Sequence, residues 1–220
     1  MSSTVRTAGA PAIRRGARAA AVRRRRRKRA TVALLALAAL AGVVVLALPL
    51  IRRAESEFGL PLRYPQIIRQ QAAQKHLDPA LVAAVIYAES KFDARTSATG
   101  AEGLMQIEPP TAQYLARQSG GYRFRVSDLW KPGVNIAYGT YYLRVLIDQF
   151  HGSVPLALAA YNAGATNVQR WMATAEVRHR HLTVQSIPFP ETRDYVQRVL
   201  QAQRDYRSTY AAELGYRHGH

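Results

Sequence analysis

The longest apolar segment of the chain runs from residue 30 to residue 51. Its 22 residues carry no charge, and only Thr31 has a polar side chain. An α-helix of this length spans about 33 Å, which is enough to cross the hydrocarbon core of a membrane. A helix on the surface of a protein core would show a polar stripe, and this segment has none. The pattern therefore predicts one N-terminal transmembrane helix.

After residue 63 the apolar positions follow helical spacing. Asp78 followed by Pro79 is a typical helix start, with Asp as the N-cap and Pro at the first helical position. Helices are predicted over 65–75, 79–90, 111–118, 135–150, 154–162 and 190–212, with a glycine-containing loop over 96–110. No segment has the clear alternation of a β-strand, although the pattern leaves a small hairpin near 120–126 open. The expected fold class is mainly α.

These patterns divide the chain into five parts. They are a basic, disordered tail over 1–29, the transmembrane helix over 30–51, a linker over 52–63, a helical domain over 64–214 and a short tail over 215–220.

Basic residues are concentrated at the N-terminus. Residues 1–54 hold 13 Lys and Arg and no acid, whereas residues 55–220 hold 18 basic and 14 acidic residues. Eleven of the basic residues precede the apolar segment, and only Arg52 and Arg53 follow it closely. The positive-inside rule therefore places the N-terminus in the cytoplasm and the helical domain outside. A cleaved signal peptide is the competing interpretation, although the segment is long for one.

Composition narrows the function classes further. The chain has no cysteine, which excludes disulfides, thiol catalysis and cysteine-ligated zinc. The basic cluster at 23–29 is expected to fix topology and to contact anionic lipid. A nucleic-acid-binding tail is the alternative, but no aromatic residue lies among these arginines to stack on a base. We therefore expect no nucleic-acid partner.

Glu89 stands out among its neighbours. It follows Val82, Val85 and Ile86 by seven, four and three positions, and so shares their apolar helix face. Burial raises the pKa of a carboxyl group and keeps it protonated near neutral pH, as a general acid in glycoside cleavage requires. A glutamate at a helix end that reaches solvent or a basic partner is the alternative, which periodicity alone leaves open.

Three separated motifs point to one family. Residues 89–112 read ESKFDARTSATGAEGLMQIEPPTA, residues 160–164 read AYNAG and residues 190–196 read PETRDYV. Together and in this order they resemble the catalytic domain of the lytic transglycosylases of the soluble-lytic-transglycosylase (SLT) type. The resemblance covers about residues 64–205 and implies a lysozyme-like helical fold, as in goose-type lysozyme. Ala94 departs from the family pattern, which usually has proline at this position.

The resemblance implies a role for eight residues. Glu89 would be the single catalytic acid and base. The substrate-binding residues would be Ser97, Met105, Gln106, Tyr161, Asn162, Glu191 and Tyr195. Structural interpretations stay open beside these: Ser97 as a turn hydroxyl, Met105 as a core side chain and Glu191 as a carboxylate at a helix N-terminus. No metal or organic cofactor is implied.

The implied reaction cleaves the β-1,4 bond between N-acetylmuramic acid and N-acetylglucosamine in peptidoglycan without water. Glu89 would protonate the glycosidic oxygen and then take the proton from the C6 hydroxyl of the muramic sugar, which closes a 1,6-anhydro ring. A lysozyme-type muramidase and a catalytically silent wall-binding module are the alternatives. The expected partners are peptidoglycan strands and the cytoplasmic membrane. The chain is expected to cross this membrane once, with the catalytic domain on the cell-wall side.

Overall fold

The computed structural model describes residues 60–216, together with Gly42. Residues 60–216 form seven α-helices and one short hairpin: α1 (Pro65–Gln74), α2 (Pro79–Ser90), β1 (Arg95–Thr96), β2 (Glu102–Gly103), α3 (Pro109–Gln118), α4 (Pro132–Gln149), α5 (Val154–Ala163), α6 (Ala165–Val177) and α7 (Pro190–Thr209). Single 3₁₀ turns lie at Val126–Trp130 and Val184–Ser186. The mainly α class is confirmed. The predicted basic tail and the span over 30–51 lie outside the described residues, apart from Gly42.

Among the helices of the described residues, none combines the length and the apolarity that crossing a membrane requires.

Helix α2 forms the centre of the core. Asp78 caps it as predicted, since its carboxylate accepts a hydrogen bond from the Ala80 amide at 3.0 Å. Every residue from Ala80 to Ile86 is buried, between α7 on one side and α1 on another. The prediction of one apolar face is therefore wrong, because this part of the helix has no solvent face. Each fully buried Val, Leu or Ile here contributes about 1.5–3 kcal/mol to folding.

Helix α7 packs along α2, and tyrosines in its last turn and at its C-cap contact the first described residues of the domain. The hydroxyls of Tyr206 and Tyr210 donate to the backbone carbonyls of Pro61 and Leu60, both at 2.7 Å. Tyr216 donates to the carboxylate of Asp78. Residues 60–61 were assigned to a linker and Tyr216 to a tail, but in the structure they contact the helical domain.

Helix α5 lies between α4, α6 and α7. Gly164, at φ 85°, separates α5 from α6 by a single residue, in a conformation that L side chains rarely adopt. Helix α6 was not predicted, because Gly164 was taken only as a stop signal. Its buried residues Val168 and Trp171 stand three positions apart, and this spacing is the signal that could have revealed it.

The predicted loop after α2 contains a minimal antiparallel hairpin. Arg95 pairs with Gly103, and Thr96 pairs with Glu102. Glu102 also forms an isolated bridge with Ile107, which folds the chain back before α3. The hairpin left open near 120–126 is absent from the described residues, where this segment is made of turns and irregular backbone that lead into the 3₁₀ turn at Val126–Trp130.

Candidate active site

A cavity of about 430 Å³ opens where α2 ends. Its lining comes from the hairpin, from the start of α3, from α4 and from the junction of α5 and α6. Five of the predicted site residues line it: Glu89, Ser97, Gln106, Tyr161 and Asn162. Thr99, Glu108, Thr111 and Tyr142 are lining residues that were not predicted. The structure therefore brings together residues from four separate stretches of the chain.

Glu89 lies in the last turn of α2, where the buried helix reaches the cavity. Tyr195, from α7, donates a hydrogen bond to Glu89 Oε1 at 2.7 Å. Burial raises the pKa of Glu89 to about 7, although the Tyr195 hydrogen bond and the nearby charge of Arg198 act in the opposite direction. A carboxyl group with this pKa can give up a proton near neutral pH and take one back.

Two tyrosines form the buried wall beside Glu89. Burial raises the pKa of both Tyr161 and Tyr195 well above the usual value for a phenol, and the charge of Glu89 adds to the effect. Both hydroxyls therefore keep their protons and act as donors. Tyr161 donates to the backbone carbonyl of Met105 at 2.8 Å, and its ring packs against Tyr142 with centroids 5.2 Å apart.

The loop at residues 102–105 is held in place by two buried polar residues that were not predicted from the sequence. Ser90, next to Glu89, donates to the carbonyl of Leu104 at 2.7 Å. Asn135 accepts from the Met105 amide at 2.8 Å and donates to the carbonyls of Glu102 and Leu129 at 2.9 and 3.0 Å. Both side chains are fully buried with partners for their polar atoms, so they hold the loop at a fixed position relative to α2.

Ser97 and Gln106 line the cavity and also stabilise the hairpin. Ser97 Oγ accepts from the Ala101 amide at 2.9 Å, which agrees with its interpretation as a turn hydroxyl. Gln106, at φ 48°, donates its amide hydrogens to the carbonyls of Arg95 and Gly103, both at 2.8 Å. Both donors of Gln106 are thereby used, and its Oε1 is the acceptor left for a ligand.

Three predicted substrate-binding residues do not line the cavity: Met105, Glu191 and Tyr195, the last of which contacts the site through its hydrogen bond to Glu89. Met105 is fully buried, and its side chain packs where Gly139 leaves room for it, so it is a core residue. Glu191 is exposed in the first turn of α7, where a carboxylate complements the helix dipole. Asn162 lies at the cavity, and its Oδ1 accepts from Thr192 Oγ1 at 2.8 Å, which connects α5 to the start of α7.

Comparisons with known proteins agree with this geometry. The sequence profile of the transglycosylase SLT domain matches residues 66–183. The soluble lytic murein transglycosylase of Salmonella typhimurium is 35% identical over 154 residues, which cover 69% of this chain and 24% of that protein. Membrane-bound lytic murein transglycosylase C of Glaesserella parasuis is 30% identical over 169 residues, which cover 66% of this chain and 46% of that protein.

A solved structure shows the same fold. An inactive mutant of the lytic transglycosylase Slt from Pseudomonas aeruginosa superposes with a TM-score of 0.64 at 35% identity, over 70% of this chain and 25% of that one. The chain thus matches about a quarter of the length of the soluble relatives. The profile match extends over more than half of this chain and includes Glu89 and the residues that line its cavity. The chain therefore belongs to the transglycosylase SLT domain family.

Proposed function

We propose that this protein is a lytic transglycosylase that cleaves the glycan strands of peptidoglycan. The observation that carries the proposal is the Glu89 carboxyl group, which is largely buried at a cavity, has a pKa raised to about 7 and accepts a hydrogen bond from Tyr195. Family membership and the names of the soluble and membrane-bound relatives support the same reaction class.

In the first step, protonated Glu89 donates to the glycosidic oxygen between N-acetylmuramic acid and N-acetylglucosamine. The C1–O bond breaks, and an oxocarbenium-like centre forms at C1 of the muramic sugar, where the 2-acetamido group stabilises it. The Tyr195 hydroxyl stabilises the Glu89 carboxylate that this step produces, because it already donates to Oε1.

In the second step, the Glu89 carboxylate takes the proton of the C6 hydroxyl on the same sugar. The C6 oxygen attacks C1 and closes the 1,6-anhydro ring, and Glu89 returns to its protonated form. The nucleophile belongs to the bound sugar, so positioning supplies much of the rate. Ser97, Gln106, Tyr161 and Asn162 are the binding residues of this proposal, because they surround the cavity beside Glu89.

Membrane attachment is the second part of the proposal. The apolar segment over 30–51 would anchor the chain, with the basic tail in the cytoplasm against anionic lipid and the catalytic domain on the wall side. One relative is named as membrane-bound, which supports this arrangement. Peptidoglycan would then lie on the same side as the cavity.

The test uses the full chain in detergent, incubated with purified peptidoglycan, and identifies the products by mass spectrometry. We expect muropeptides that are lighter by one water than the products of hydrolysis. Glu89→Gln should yield none of them, because an amide cannot donate and recover a proton in this way. Glu191→Gln is the control, since Glu191 is exposed outside the cavity lining, and it should retain activity.

Reducing-end products from the unmodified protein would contradict the proposal and identify a muramidase on the same fold. Absence of any product, together with retained binding to the wall, would identify a wall-binding module.

A further inference from the structure

The cavity that holds Glu89 contains a second carboxylate and no cation. Glu108 lines it at the start of α3, while no Lys, Arg or His is found among the described residues of its lining. Glu89 and Glu108 are therefore the charged side chains of this lining, in a protein whose formal net charge is +17. Two cations lie near the site outside the lining, since Arg95 donates to the Glu89 carbonyl at 3.3 Å and the charge of Arg198 acts on Glu89. The surplus of positive charge lies elsewhere on the molecule.

The Glu108 carboxylate is available to a ligand. Glu108 occupies the N-cap position of α3, but its side chain makes no capping hydrogen bond. It also takes no part in any of the ion pairs found within residues 60–216. Glu102 is different, because its carboxylate accepts from Thr96 Oγ1 at 2.9 Å and it does not line the cavity.

The backbone beneath Glu108 is rigid. Ile107, which precedes it, is buried and paired with Glu102 through two backbone hydrogen bonds of 3.0 Å. Pro109 and Pro110 follow it and restrict the chain at the helix start. The backbone that carries this carboxylate is therefore already ordered before a ligand binds. Binding would restrict only the Glu108 side chain, so its cost in conformational entropy is small.

The charge of Glu108 also acts on the cavity wall. Burial is the main cause of the raised pKa of Tyr142, and the charge of Glu108 is the second cause. Tyr142 lines the same cavity and packs against Tyr161. A substrate group bound between Glu108 and these rings would therefore experience a negative potential.

We propose that Glu108 makes the cavity select glycan strands that carry a primary ammonium group close to the cleaved bond. A de-N-acetylated glucosamine or a free amine of a stem peptide would supply this group, because the proposed reaction needs the 2-acetamido group of the muramic sugar. An ammonium offers three donors and a full positive charge to the carboxylate, whereas an acetamido group offers one N–H and no charge. The same carboxylate disfavours strands with an unpaired carboxylate at this position.

This inference rests on the proposed function and adds a substrate class to it. The experiment measures kcat/KM for release of anhydro products by the full chain on two matched pairs of substrates. The first pair is strands without stem peptides, either fully N-acetylated or de-N-acetylated at part of their glucosamine residues only. The second pair is N-acetylated strands whose stem-peptide amines are either free or chemically acetylated.

We expect the protein to prefer the free-amine member of one pair by roughly three- to fivefold, mainly through KM, as for a solvent-accessible ion pair. The pair that shows the preference identifies the source of the amine. Glu108→Gln should remove the preference by lowering kcat/KM on the free-amine strands to the value found for the acetylated strands. Glu102→Gln removes the same charge outside the cavity lining and should retain the preference.

Three results would overturn the inference. They are equal rates on both members of both pairs, a preference that persists in Glu108→Gln, and loss of all cleavage in Glu108→Gln. The last result would make Glu108 part of the catalytic machinery. If the unmodified protein released no anhydro product from any of the four substrates, the proposed function itself would fail.

Discussion

Tyr195 on α7 donates a hydrogen bond of 2.7 Å to Glu89 on α2, and so stabilises the ionised form of the carboxyl group. Burial of Glu89 has the opposite and larger effect, which leaves its pKa raised to about 7. The two contributions come from helices that pack directly against each other. The packing of α2 on α7 thus sets the proton affinity of Glu89.

Replacing Tyr195 by phenylalanine should raise the pKa of Glu89, because the change removes a donor to the carboxylate. We expect the fall of kcat/KM at high pH to move upward by roughly one pH unit. Turnover should decrease about 10- to 100-fold, since the carboxylate formed in the first step loses its donor. Profiles of kcat/KM against pH for both proteins measure this.

Tyr142→Phe is the matched control for that substitution. Tyr142 lines the same cavity, and no hydrogen bond joins it to Glu89 within the described residues. The kcat/KM of Tyr142→Phe should therefore fall at the same pH as the kcat/KM of the unmodified protein. An unchanged profile in Tyr195→Phe would show that the hydrogen bond does not tune Glu89.

The raised pKa of Glu89 also predicts how stability depends on pH. Between the ordinary value of 4.5 and about 7, the folded state binds a proton that the unfolded state has released. Glu89 therefore lowers stability as the pH rises through this window, by up to about 3 kcal/mol in total. Glu89→Gln removes this loss. Urea unfolding should show the variant gaining stability over the unmodified protein as the pH rises from 4.5 to 7, and a constant difference would contradict the prediction.

Gly103→Ala should destabilise the protein more than Gly100→Ala. Both glycines have positive φ, 79° and 87°, so both substitutions strain the backbone by about 1 kcal/mol. A Cβ on Gly103 would overlap the Asn135 amide and come within 2.5 Å of the Leu129 carbonyl, whereas a Cβ on Gly100 meets nothing within 4 Å. The free energies of unfolding obtained from denaturant titrations should therefore differ by roughly a further 1–3 kcal/mol between the two variants. Equal losses of stability in the two variants would mean that the residues around Gly103 can shift to accommodate a Cβ atom.

Asn135→Ala should destabilise the fold by roughly 3 kcal/mol and reduce cleavage as well. The substitution removes the Asn135 partner of the Met105 amide and of the Leu129 carbonyl, and one of the two donors to the Glu102 carbonyl, which also accepts from the Ile107 amide. Asn167→Ala is the control, because Asn167 bonds the Ala163 carbonyl near the helix surface, and it should cost less than about 1 kcal/mol. Urea unfolding and kcat/KM measure both variants. Similar losses in the two would argue against a special role for Asn135.

Helix starts were predictable where a cap or an initial proline was recognised, because these signals are local. The starts predicted at 111 and 135 were late, since these helices begin at Pro109 and Pro132. The Asp78–Pro79 start was correct, and so was the start at Pro190. The second helix was predicted from the Asp78–Pro79 start, whereas the single apolar face assigned to it was wrong, because buried positions extend around the whole helix from Ala80 to Ile86. The hairpin was missed, because strands of two residues are too short to show alternation.

The site was predictable only where a motif identified it. Glu89 came from the residues and from the family resemblance together, whereas Tyr195 came from the resemblance alone. Tyr195 lies 106 positions from Glu89, and no local pattern connects residues so far apart. Asn135 and Ser90 were missed for the same reason, since their partners become visible only once the helices are packed.

The two tyrosines at the far end of α7 have a mechanical consequence. Tyr206 follows Tyr195 by eleven residues, which corresponds to about 16 Å along a helix. Together with Tyr210 it holds the backbone at Pro61 and Leu60. The Tyr206 ring also packs against the rings of Tyr87 and Phe92, with centroids 6.1 and 6.2 Å away, and these two residues flank Glu89 in the sequence. Tension applied to the chain ahead of Leu60 would therefore reach the residues on both sides of the acid.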